Sequence, residues 1–187
     1  MLKDLVSKNR SYRRFYGDHK ISIGILKELV DLARLSPSSR NLQPLRFILS
    51  SDQKTNNLIF PNLAWAGYIK DWEAPIEEER PSAYIIILGD KNSPKKPEFD
   101  VGIASQSILL GAVEKGLGGC MIGSIKRNVL SEKINIPDNY EIYLIIALGK
   151  PKEKVVNETV KDNDIKYWRD EEKTHHVPKR SLDDLII

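Results

Sequence analysis

Apolar residues recur at helical spacing in the part of the chain that follows Ser22, a residue type that caps helix starts. The apolar positions of this predicted helix are Ile23, Leu26, Leu29, Val30 and Ala33. Pro37 ends the helix, because its ring clashes with the preceding turn and its nitrogen has no hydrogen to donate. Shorter helices are predicted over residues 2–9, after Asp52 and over residues 125–134.

The longest predicted helix spans residues 99–116 and is apolar around nearly its whole circumference. Its apolar residues are Val101, Ile103, Ala104, Ile108, Leu109, Leu110, Ala112 and Val113. A helix that is apolar all round must be buried on every side, and a single domain of this size rarely supplies that cover. The pattern therefore predicts that this helix lies at an interface between two subunits.

Three runs of residues are typical of β-strands, at 46–49, 83–89 and 141–148. The second run is continuously apolar and rich in β-branched residues, which predicts a central strand that is buried on both faces. Strands and helices alternate along the chain, and long irregular connections separate some of them.

The length of 187 residues is that of one domain with a substantial core, and no repeat or linker divides it. A single domain over residues 1–187 is therefore expected. Within it, residues 60–80 are interpreted as a mobile helical insertion that contains Trp65 and Trp72. Residues 152–187 are interpreted as a polar C-terminal tail, with Trp168 as its anchor.

The composition is that of an ordinary globular protein, with 41% hydrophobic and 29% charged residues. A formal net charge of +3 does not indicate nucleic-acid binding, which needs a concentrated basic face. The single cysteine, Cys120, excludes an internal disulfide and fits a reducing compartment. No apolar run approaches the roughly 18 residues of a membrane span, and a charge interrupts the N-terminus where a signal peptide would be apolar. We therefore expect a cytoplasmic protein that binds neither nucleic acid nor membrane.

A polar stretch over residues 36–47 contains hydroxyls and amides side by side, at Ser38, Ser39, Asn41 and Gln43. Amides both donate and accept hydrogen bonds, so they can recognise the edge of a flat heteroaromatic ring. Loops of this composition also cap their own backbone. Both interpretations stay open at the level of this stretch.

Other residues that often carry chemistry give weaker signals. The acidic runs at 77–79 and 170–172 are interpreted as solvated surface. His175 and His176 are adjacent, so an extended chain points them to opposite faces, and a structural or surface role is favoured over a metal site. Cys120 has apolar or glycine neighbours and no nearby histidine, which favours a buried thiol over a nucleophile.

The glycine-rich stretch at 116–124 ends where a predicted strand meets a predicted helix, at Gly123 and Ser124. Backbone N–H groups at such a point have no partner within the helix, so one of them can face a planar redox ring. An ordinary helix cap by Ser124 is the alternative, and the two are compatible.

Basic residues cluster near both ends of the chain, with Arg10 and Arg13 beside Ser11, and Lys179 beside Arg180. Arginine offers a planar fork to phosphate oxygens and lysine a point charge, so the two clusters would suit one phosphate group if they converge. Taken singly, each is more typical of a solvated surface charge.

Together these residues resemble the FMN-dependent nitroreductase family. The resemblance rests on Arg-Ser-Tyr-Arg at 10–13, Pro-Ser-Ser-Arg-Asn-Leu-Gln-Pro at 37–44, the glycine-rich 116–124, Leu-Gly-Lys-Pro at 148–151 and Pro-Lys-Arg at 178–180. It implies an α+β fold in which helices flank a central, mostly antiparallel sheet, and an intertwined homodimer with FMN at two interface sites. It also implies reduction by NADH or NADPH and then transfer to a small-molecule acceptor, such as a nitroaromatic or a quinone, in alternating ping-pong steps.

The resemblance also assigns roles to individual residues. Arg10 and Ser11 would hold the phosphate, Arg13 would lie at the pyrimidine edge, and the Gly123 backbone would approach the flavin N5 atom. Ser38, Ser39 and Asn41 would reach the flavin from the partner subunit. Lys179 and Arg180 would close over the phosphate. The predicted cofactor-binding residues are Arg10, Ser11, Arg13, Pro37, Ser38, Ser39, Asn41, Gln43, Met121, Ile122, Gly123, Ser124, Lys179 and Arg180. No metal site is predicted.

The chain departs from the family pattern at Asn9, where a basic residue is common, and at Leu45 and Met121, where aromatic residues are common. Three alternatives to a nitroreductase activity remain at this stage. They are a specialised dehydrogenase or dehalogenase that uses the same flavin, a non-catalytic flavin-binding or sensing protein, and an interaction protein without a cofactor.

Overall fold

The structure of the protein is a computed structural model that describes all 187 residues. Its centre is a five-stranded antiparallel sheet. The strands are β1 (Phe15–Tyr16), β2 (Leu45–Ser50), β3 (Ala83–Asp90), β4 (Gly118–Ile122) and β5 (Tyr140–Pro151). β5 pairs with β3 along one edge and with β4 and then β1 along the other, and β2 pairs with the free edge of β3. The α+β fold with a central antiparallel sheet is confirmed.

Five α-helices pack around this sheet: α1 (Leu2–Lys8), α2 (Ile23–Leu35), α3 (Gln53–Ile59), α4 (Glu98–Glu114) and α5 (Arg127–Lys133). The predicted caps are confirmed, since the side chains of Ser22 and Asp52 accept hydrogen bonds from the N–H groups of Ile25 and Thr55. The prediction that Pro37 stops a helix is also confirmed, because α2 ends at Leu35.

The core consists of two clusters, one on each face of β3. Ile85 and Ile87 pack with residues of α2 and α4, including Leu26, Leu29 and Ile108. Tyr84, Ile86 and Leu88 pack on the other face with a cluster that includes Trp65, Cys120 and Leu130. Because successive side chains of a strand point to opposite faces, a strand covered on both sides needs the unbroken apolar run seen in the sequence.

Within one chain, α4 is buried on only part of its circumference. Phe99 is 84% exposed and Ile103 is 39% exposed, whereas Leu109 is buried by the chain's own core. Two polar residues of the helix, Asp100 and Ser105, are buried. The chain therefore leaves an apolar part of α4 uncovered, and the predicted second subunit stays a prediction.

The prediction of helical structure for residues 60–80 is wrong. This segment contains only two short 3-10 helices, Phe60–Asn62 and Glu77–Glu79, joined by irregular backbone. Trp65 packs into the core with an exposed fraction of 7%. The segment thus folds over one face of the sheet through side-chain packing, without an α-helix of its own. No helix in the chain has the length and apolar character needed to cross a membrane.

Residues beyond the central sheet form a second sheet from β6 (Val155–Thr159), β7 (Trp168–Arg169) and β8 (His175–Lys179). β8 lies between the other two, parallel to β6 and antiparallel to β7. The prediction that Trp168 anchors this region is wrong, because the residue is 46% exposed and its ring stacks on that of His176. This small sheet continues directly from β5, and the Lys152 N–H donates to the Arg14 carbonyl, so it lies beside the N-terminal arginines.

Candidate functional site

The N-terminal arginines are held beside β4 by backbone hydrogen bonds. Ser11 forms a parallel bridge with Gly119, and the Tyr12 N–H donates to the Gly119 carbonyl oxygen over 3.0 Å. The small sheet lies next to them, since Arg10 Nη1 donates to Asn157 Oδ1 of β6 over 2.8 Å. The N-terminal arginine segment and the small sheet therefore meet beside β4 of the central sheet.

A cationic cavity lies at this meeting point. It is lined by Asn9, Arg10, Ser11, Arg13, Tyr167, His175, Val177 and Lys179. No carboxylate is among these residues, and the Arg10 guanidinium donates only to neutral oxygens, those of Asn9, Val6 and Asn157. Its charge is therefore not compensated by an ion pair. Three cations and a hydroxyl around one cavity suit a phosphate or another anion.

A second cavity adjoins the first and is much less charged. It is lined by Arg13, Ala64, Trp65, Ala66, Gly67, Cys120, Met121, Ile122, Gly123, Ser124 and Tyr167. Each cavity has a volume of about 230 Å³, which is below the roughly 300–1,000 Å³ of typical ligand pockets. The two cavities share Arg13 and Tyr167 and together form one groove. The first cavity is its cationic end. The second, whose lining residues are mostly hydrophobic, is its apolar end.

Two glycines of the apolar end have no structural reason of their own to lack a side chain. A Cβ atom at Gly123 or at Gly67 would meet nothing within 4 Å, and neither residue has a positive φ angle. Side chains at these positions would instead extend into free space beside the groove. A flat ring that approaches the backbone needs such openings, and this observation, together with the cationic end, fits FMN.

The backbone at the end of β4 also presents free donors. The N–H groups of Gly123 and Ser124 donate no hydrogen bond within the protein, whereas the Lys126 N–H donates to the Asn62 carbonyl oxygen over 2.9 Å. The alternative of a helix cap by Ser124 is wrong, because α5 begins at Arg127 with Lys126 as its N-cap. Two backbone donors are therefore available at the apolar end of the groove.

Arg13 connects the two ends of the groove. Its guanidinium lies 4.6 Å from the centre of the Tyr167 ring, and its Nη1 lies 3.1 Å from His175 Nε2. Burial, with Arg13 and Arg169 nearby, lowers the pKa of His175 to about 4, so this ring is neutral near pH 7. A neutral imidazole can accept a hydrogen bond from Arg13 without repelling it.

A buried carboxylate fixes the backbone behind Arg13. Glu153 Oε1 accepts hydrogen bonds from the N–H groups of Arg13 and Arg14, and Oε2 accepts one from Arg169 Nη2 at 3.0 Å. The side chain of Glu153 is completely buried. Because its charge is paired with Arg169, it holds the arginine segment in place without competing for an anion in the groove.

The interpretation of residues 77–79 as a solvated run is wrong for Glu79. Its carboxylate is buried and pairs with Arg14 at 2.5 and 2.6 Å and with Lys152 at 3.0 Å. The hydrogen bonds from Arg14 are the main reason why the pKa of Glu79 falls to about 2. This ion-pair cluster joins the end of the 60–80 segment to the backbone that carries Arg13.

The predicted residues of the polar loop do not reach the groove of their own chain. Pro37, Ser38 and Gln43 line a separate cavity that borders α2 and α4. Ser38 Oγ accepts a hydrogen bond from the Gln43 N–H, the Gln43 side chain donates to the Asn41 carbonyl, and the Ser39 N–H donates to Asp100. Within one chain this loop therefore caps its own backbone.

Arg180 is also outside the groove. Its side chain donates to Asn163 Oδ1 over 3.1 Å, while the preceding residue, Lys179, lines the cationic end. The two residues were predicted to act together on one phosphate. In the structure only Lys179 is placed to do so.

The sequence of residues 6–150 matches the model of the nitroreductase family. The chain belongs to the nitroreductase family. It is 26% identical to an iodotyrosine deiodinase of Thermotoga neapolitana, in an alignment that covers 81% of this chain and 89% of that protein. It is 27% identical to an oxygen-insensitive NADPH nitroreductase of Helicobacter acinonychis, in an alignment that covers 79% of this chain and 86% of that protein.

The fold agrees with solved structures of the same family. An FMN-dependent nitroreductase of Clostridium difficile R20291 superimposes with a TM-score of 0.64 at 24% identity, over 85% of this chain and 91% of that one. At this identity the likeness shows the shared fold. The nitroreductase fold predicted from the sequence motifs is confirmed.

Some groove residues of this nitroreductase-family chain were not found by reasoning from the sequence. Tyr167 lines both cavities, and Trp65, His175 and Val177 line one each. Three of these lie beyond residue 150, where the family match ends. His175 and Val177 belong to β8 and Tyr167 directly precedes β7. The short strands and polar residues of this region gave no periodic signal.

Cys120 lies against the groove but has the character of a structural thiol. It is buried, and burial raises the pKa of its thiol above the ordinary value. A thiol with a raised pKa is a poor nucleophile at neutral pH. The interpretation of Cys120 as a buried thiol therefore agrees with its surroundings.

Proposed function

We propose that this protein is an FMN-dependent oxidoreductase that takes hydride from NADH or NADPH and reduces a small-molecule acceptor, such as a nitroaromatic or a quinone, by a ping-pong mechanism. We also propose that it works as a homodimer in the cytoplasm. The observation that carries the proposal is the groove itself, which places a cationic end next to an apolar end with free backbone donors. Its residues come from the N-terminal arginine segment, the 60–80 segment, the glycine-rich stretch at 116–124 and the region of the small sheet.

The groove residues divide the work of binding. Arg10, Ser11 and Lys179 would hold the FMN phosphate, and Gly123 with its neighbours in β4 would hold the ring. Bound FMN would supply the hydride and electron-transfer chemistry. Arg13 lies where the two ends meet, so its positive charge would favour negative charge on the ring and raise its reduction potential.

The protein's other contribution is the shape and polarity of the apolar end. Trp65, Ala66 and Ile122 are almost fully buried and form an apolar part of its lining. Where these apolar side chains face the ring they would limit water, and exclusion of water strengthens the electrostatic contacts there. The names of the relatives from Helicobacter acinonychis and Clostridium difficile support NADPH as donor and FMN as cofactor.

The decisive experiment is the visible spectrum of the purified protein, recorded anaerobically before and after addition of NADH or NADPH. We expect a flavin spectrum that loses its visible bands on addition of one or both nicotinamides. A protein that stays colourless after incubation with FMN would contradict the proposal. A bound flavin that neither nicotinamide reduces would favour the alternative of a flavin-binding or sensing protein.

The similarity to an iodotyrosine deiodinase supports a specialised dehalogenase as a second candidate. The two candidates share the reductive half-reaction and differ in the acceptor. Reduced protein should therefore be mixed anaerobically with a nitroaromatic, a quinone or an iodinated tyrosine, and reoxidation of the flavin followed. Preferential reoxidation by the iodinated tyrosine, with release of iodide, would select the dehalogenase.

A further inference from the structure

Arg127, the first residue of α5, is exposed and could be solvated by water, yet its guanidinium donates hydrogen bonds to three backbone carbonyls. Its Nη2 donates to the Gly123 carbonyl oxygen over 3.0 Å, and its Nε donates to the Ile142 carbonyl oxygen over 2.9 Å. A third, longer contact of 3.3 Å joins Nη2 to the Tyr143 carbonyl. One guanidinium thus connects the residue after β4 to the middle of the sheet.

The place of these contacts in the sheet explains their effect. β4 pairs with β5 as far as Ile122, opposite Ile145, and then leaves it. On the other edge of β5 the register with β3 shifts between Ile87 and Leu88, which leaves Tyr143 without a paired residue. Arg127 therefore binds the carbonyl groups of β5 that β4 leaves unpaired, those of Ile142 and Tyr143. Through its bond to Gly123 it also joins the residue after β4 to β5.

The Gly123 carbonyl belongs to the same peptide unit as the Ser124 N–H. The two groups of a trans peptide point in opposite directions, so the bond to Arg127 directs the free Ser124 N–H away from α5. Gly123 and Ser124 both line the groove, and Arg127 does not. A cation on the carbonyl also polarises the peptide, which makes its N–H a stronger donor.

The next peptide units along the chain, from Ser124 to Lys126, are held by residues 62–64 and not by Arg127. The Ser124 carbonyl accepts a hydrogen bond of 3.0 Å from the Ala64 N–H, and the Lys126 N–H donates to the Asn62 carbonyl. Arg127 supplies the only bond to the Gly123 carbonyl. Arg127 therefore makes the only hydrogen bond within the protein that holds the Gly123–Ser124 peptide unit.

We propose that Arg127 is a positioning residue, which orients and polarises the Gly123–Ser124 peptide so that its N–H donates to the cofactor ring at the apolar end of the groove. The proposal rests on the proposed function, because it assumes that FMN binds there. It predicts that Arg127 affects the reduction of the flavin ring but does not affect binding of the FMN phosphate.

The test compares three full-length variants with the native protein. Arg127→Ala removes the guanidinium and its hydrogen bonds. Arg127→Lys keeps the positive charge but replaces the planar guanidinium with one donor nitrogen. Lys126→Ala removes a charge of the same sign one residue away. The Lys126 side chain makes no hydrogen bond, so the last variant is the matched control. Measurements are the rate of flavin reduction, the reduction potential, and the affinities for FMN and riboflavin.

We expect both Arg127 variants to slow flavin reduction about tenfold, which is less than the roughly hundredfold cost of a misplacement by 1 Å. The reduction potential should fall, and the ratio of FMN to riboflavin affinity should stay unchanged. Lys126→Ala should behave as the native protein. A native rate and potential in Arg127→Lys, or equal losses in Lys126→Ala and Arg127→Ala, would overturn the proposal, because charge alone would then explain the effect.

Nuclear magnetic resonance of the cofactor-free protein separates this proposal from the proposed function. In Arg127→Lys we expect the amide signal of Ser124 to shift, together with those near Ile142, while the rest of the spectrum is unchanged. An unaltered Ser124 amide would overturn the positioning role whether or not the protein binds FMN. A native protein that fails to bind FMN, with a shifted Ser124 amide in the variant, would overturn the proposed function and the part of this proposal that concerns the ring.

Discussion

Lys179 and Arg180 are neighbours with the same charge, but only Lys179 lines the groove. Arg180 follows the last residue of β8 and bonds to Asn163. Sequence reasoning treated the two as a pair, because it sees that both are cationic but not which way each side chain turns. This difference provides a matched control for the phosphate site.

We predict that Lys179→Ala and Arg10→Ala each weaken FMN binding about 10- to 100-fold. Each removes a charge-assisted contact of about 1.5–3 kcal/mol, at about 1.4 kcal/mol per tenfold change. Riboflavin has no phosphate, so its affinity should hardly change. Titration of flavin fluorescence with both ligands measures the effect.

Arg180→Ala is the control, and we expect it to bind FMN as the native protein does. An equal loss of FMN and riboflavin affinity in Lys179→Ala would mean that this residue supports the fold of the groove and does not bind phosphate.

His175 and His176 show how far the alternation of adjacent side chains in an extended chain can predict their surroundings. The expectation that adjacent residues face opposite ways is confirmed, since His175 contacts Arg13 while His176 bonds to Glu158 and Asp170. Those carboxylates raise the pKa of His176, whereas burial and the nearby arginines lower that of His175 to about 4. The opposite shifts depend on long-range neighbours that the sequence does not reveal.

We predict that His175 makes the protein less stable in acid. Its native pKa of about 4 lies below its ordinary value of 6.5, so the unfolded chain binds the proton more readily. Its contribution is therefore complete above pH 6.5 and falls as the pH drops toward 4, by at most about 3 kcal/mol. In His175→Gln this part of the pH dependence should disappear from the free energy of unfolding.

Urea unfolding at a series of pH values between 7 and 4.5 measures this difference. His176→Gln serves as the comparison, because a raised pKa gives the opposite dependence: its contribution is present at low pH and is lost as the pH rises. Identical pH profiles for native protein and His175→Gln would contradict the prediction.

At the scale of elements, the sequence predicted regular structure well and irregular structure poorly. Helices with an apolar stripe and strands with an unbroken apolar run were found close to their observed bounds, because local periodicity determines them. The 60–80 segment and the small sheet have no such period. Their structure depends on contacts distant in sequence, above all the pairing of Glu79 with Arg14 and Lys152.

We predict that Glu79→Gln lowers the free energy of unfolding by about 3–5 kcal/mol, the usual cost of breaking a buried ion pair. The variant leaves the largely buried Arg14 side chain without its charged partner. Because the native pKa of Glu79 is about 2, against an ordinary 4.5, the difference from the native protein should be present above pH 4.5 and shrink as the pH falls toward 2.

Glu77→Gln is the control for this measurement, since Glu77 belongs to the same acidic run but is exposed. It should change stability by less than about 0.5 kcal/mol. Equal effects of the two substitutions would mean that Glu79 contributes only to a general surface charge.

At the scale of the whole molecule, the motifs predicted the family and the fold, because their order along the chain reflects one architecture. The same motifs contain the loop at 37–44, which caps itself and shares no residue with the groove of its own chain. A hydrogen-bonding loop of this kind can complete a site only if a second chain brings it there. The prediction of a dimer and the assignment of Ser38, Ser39 and Asn41 to the cofactor therefore depend on each other.

Phe99 provides a test of both, because it is an exposed apolar residue of α4 and Leu109 is not. An aspartate at Leu109 would unfold the chain itself, whereas Phe99→Asp should leave the isolated chain folded. At a dimer interface the new charge would be buried without a partner, at a cost of several kcal/mol. We therefore expect the native protein to be a dimer in sedimentation velocity and Phe99→Asp to be a folded monomer.

The monomer should also bind FMN at least tenfold more weakly, since the loss of even one hydrogen bond to a cofactor costs about 1 kcal/mol and the whole loop is withdrawn. Ile165→Asp, an exposed apolar residue far along the chain in the small sheet's connection, is the control and should keep both the dimer and the affinity. A native protein that is a monomer with FMN bound would contradict the dimer. A Phe99→Asp monomer with native FMN affinity would contradict only the role of Ser38, Ser39 and Asn41, because the groove of one chain would then be sufficient.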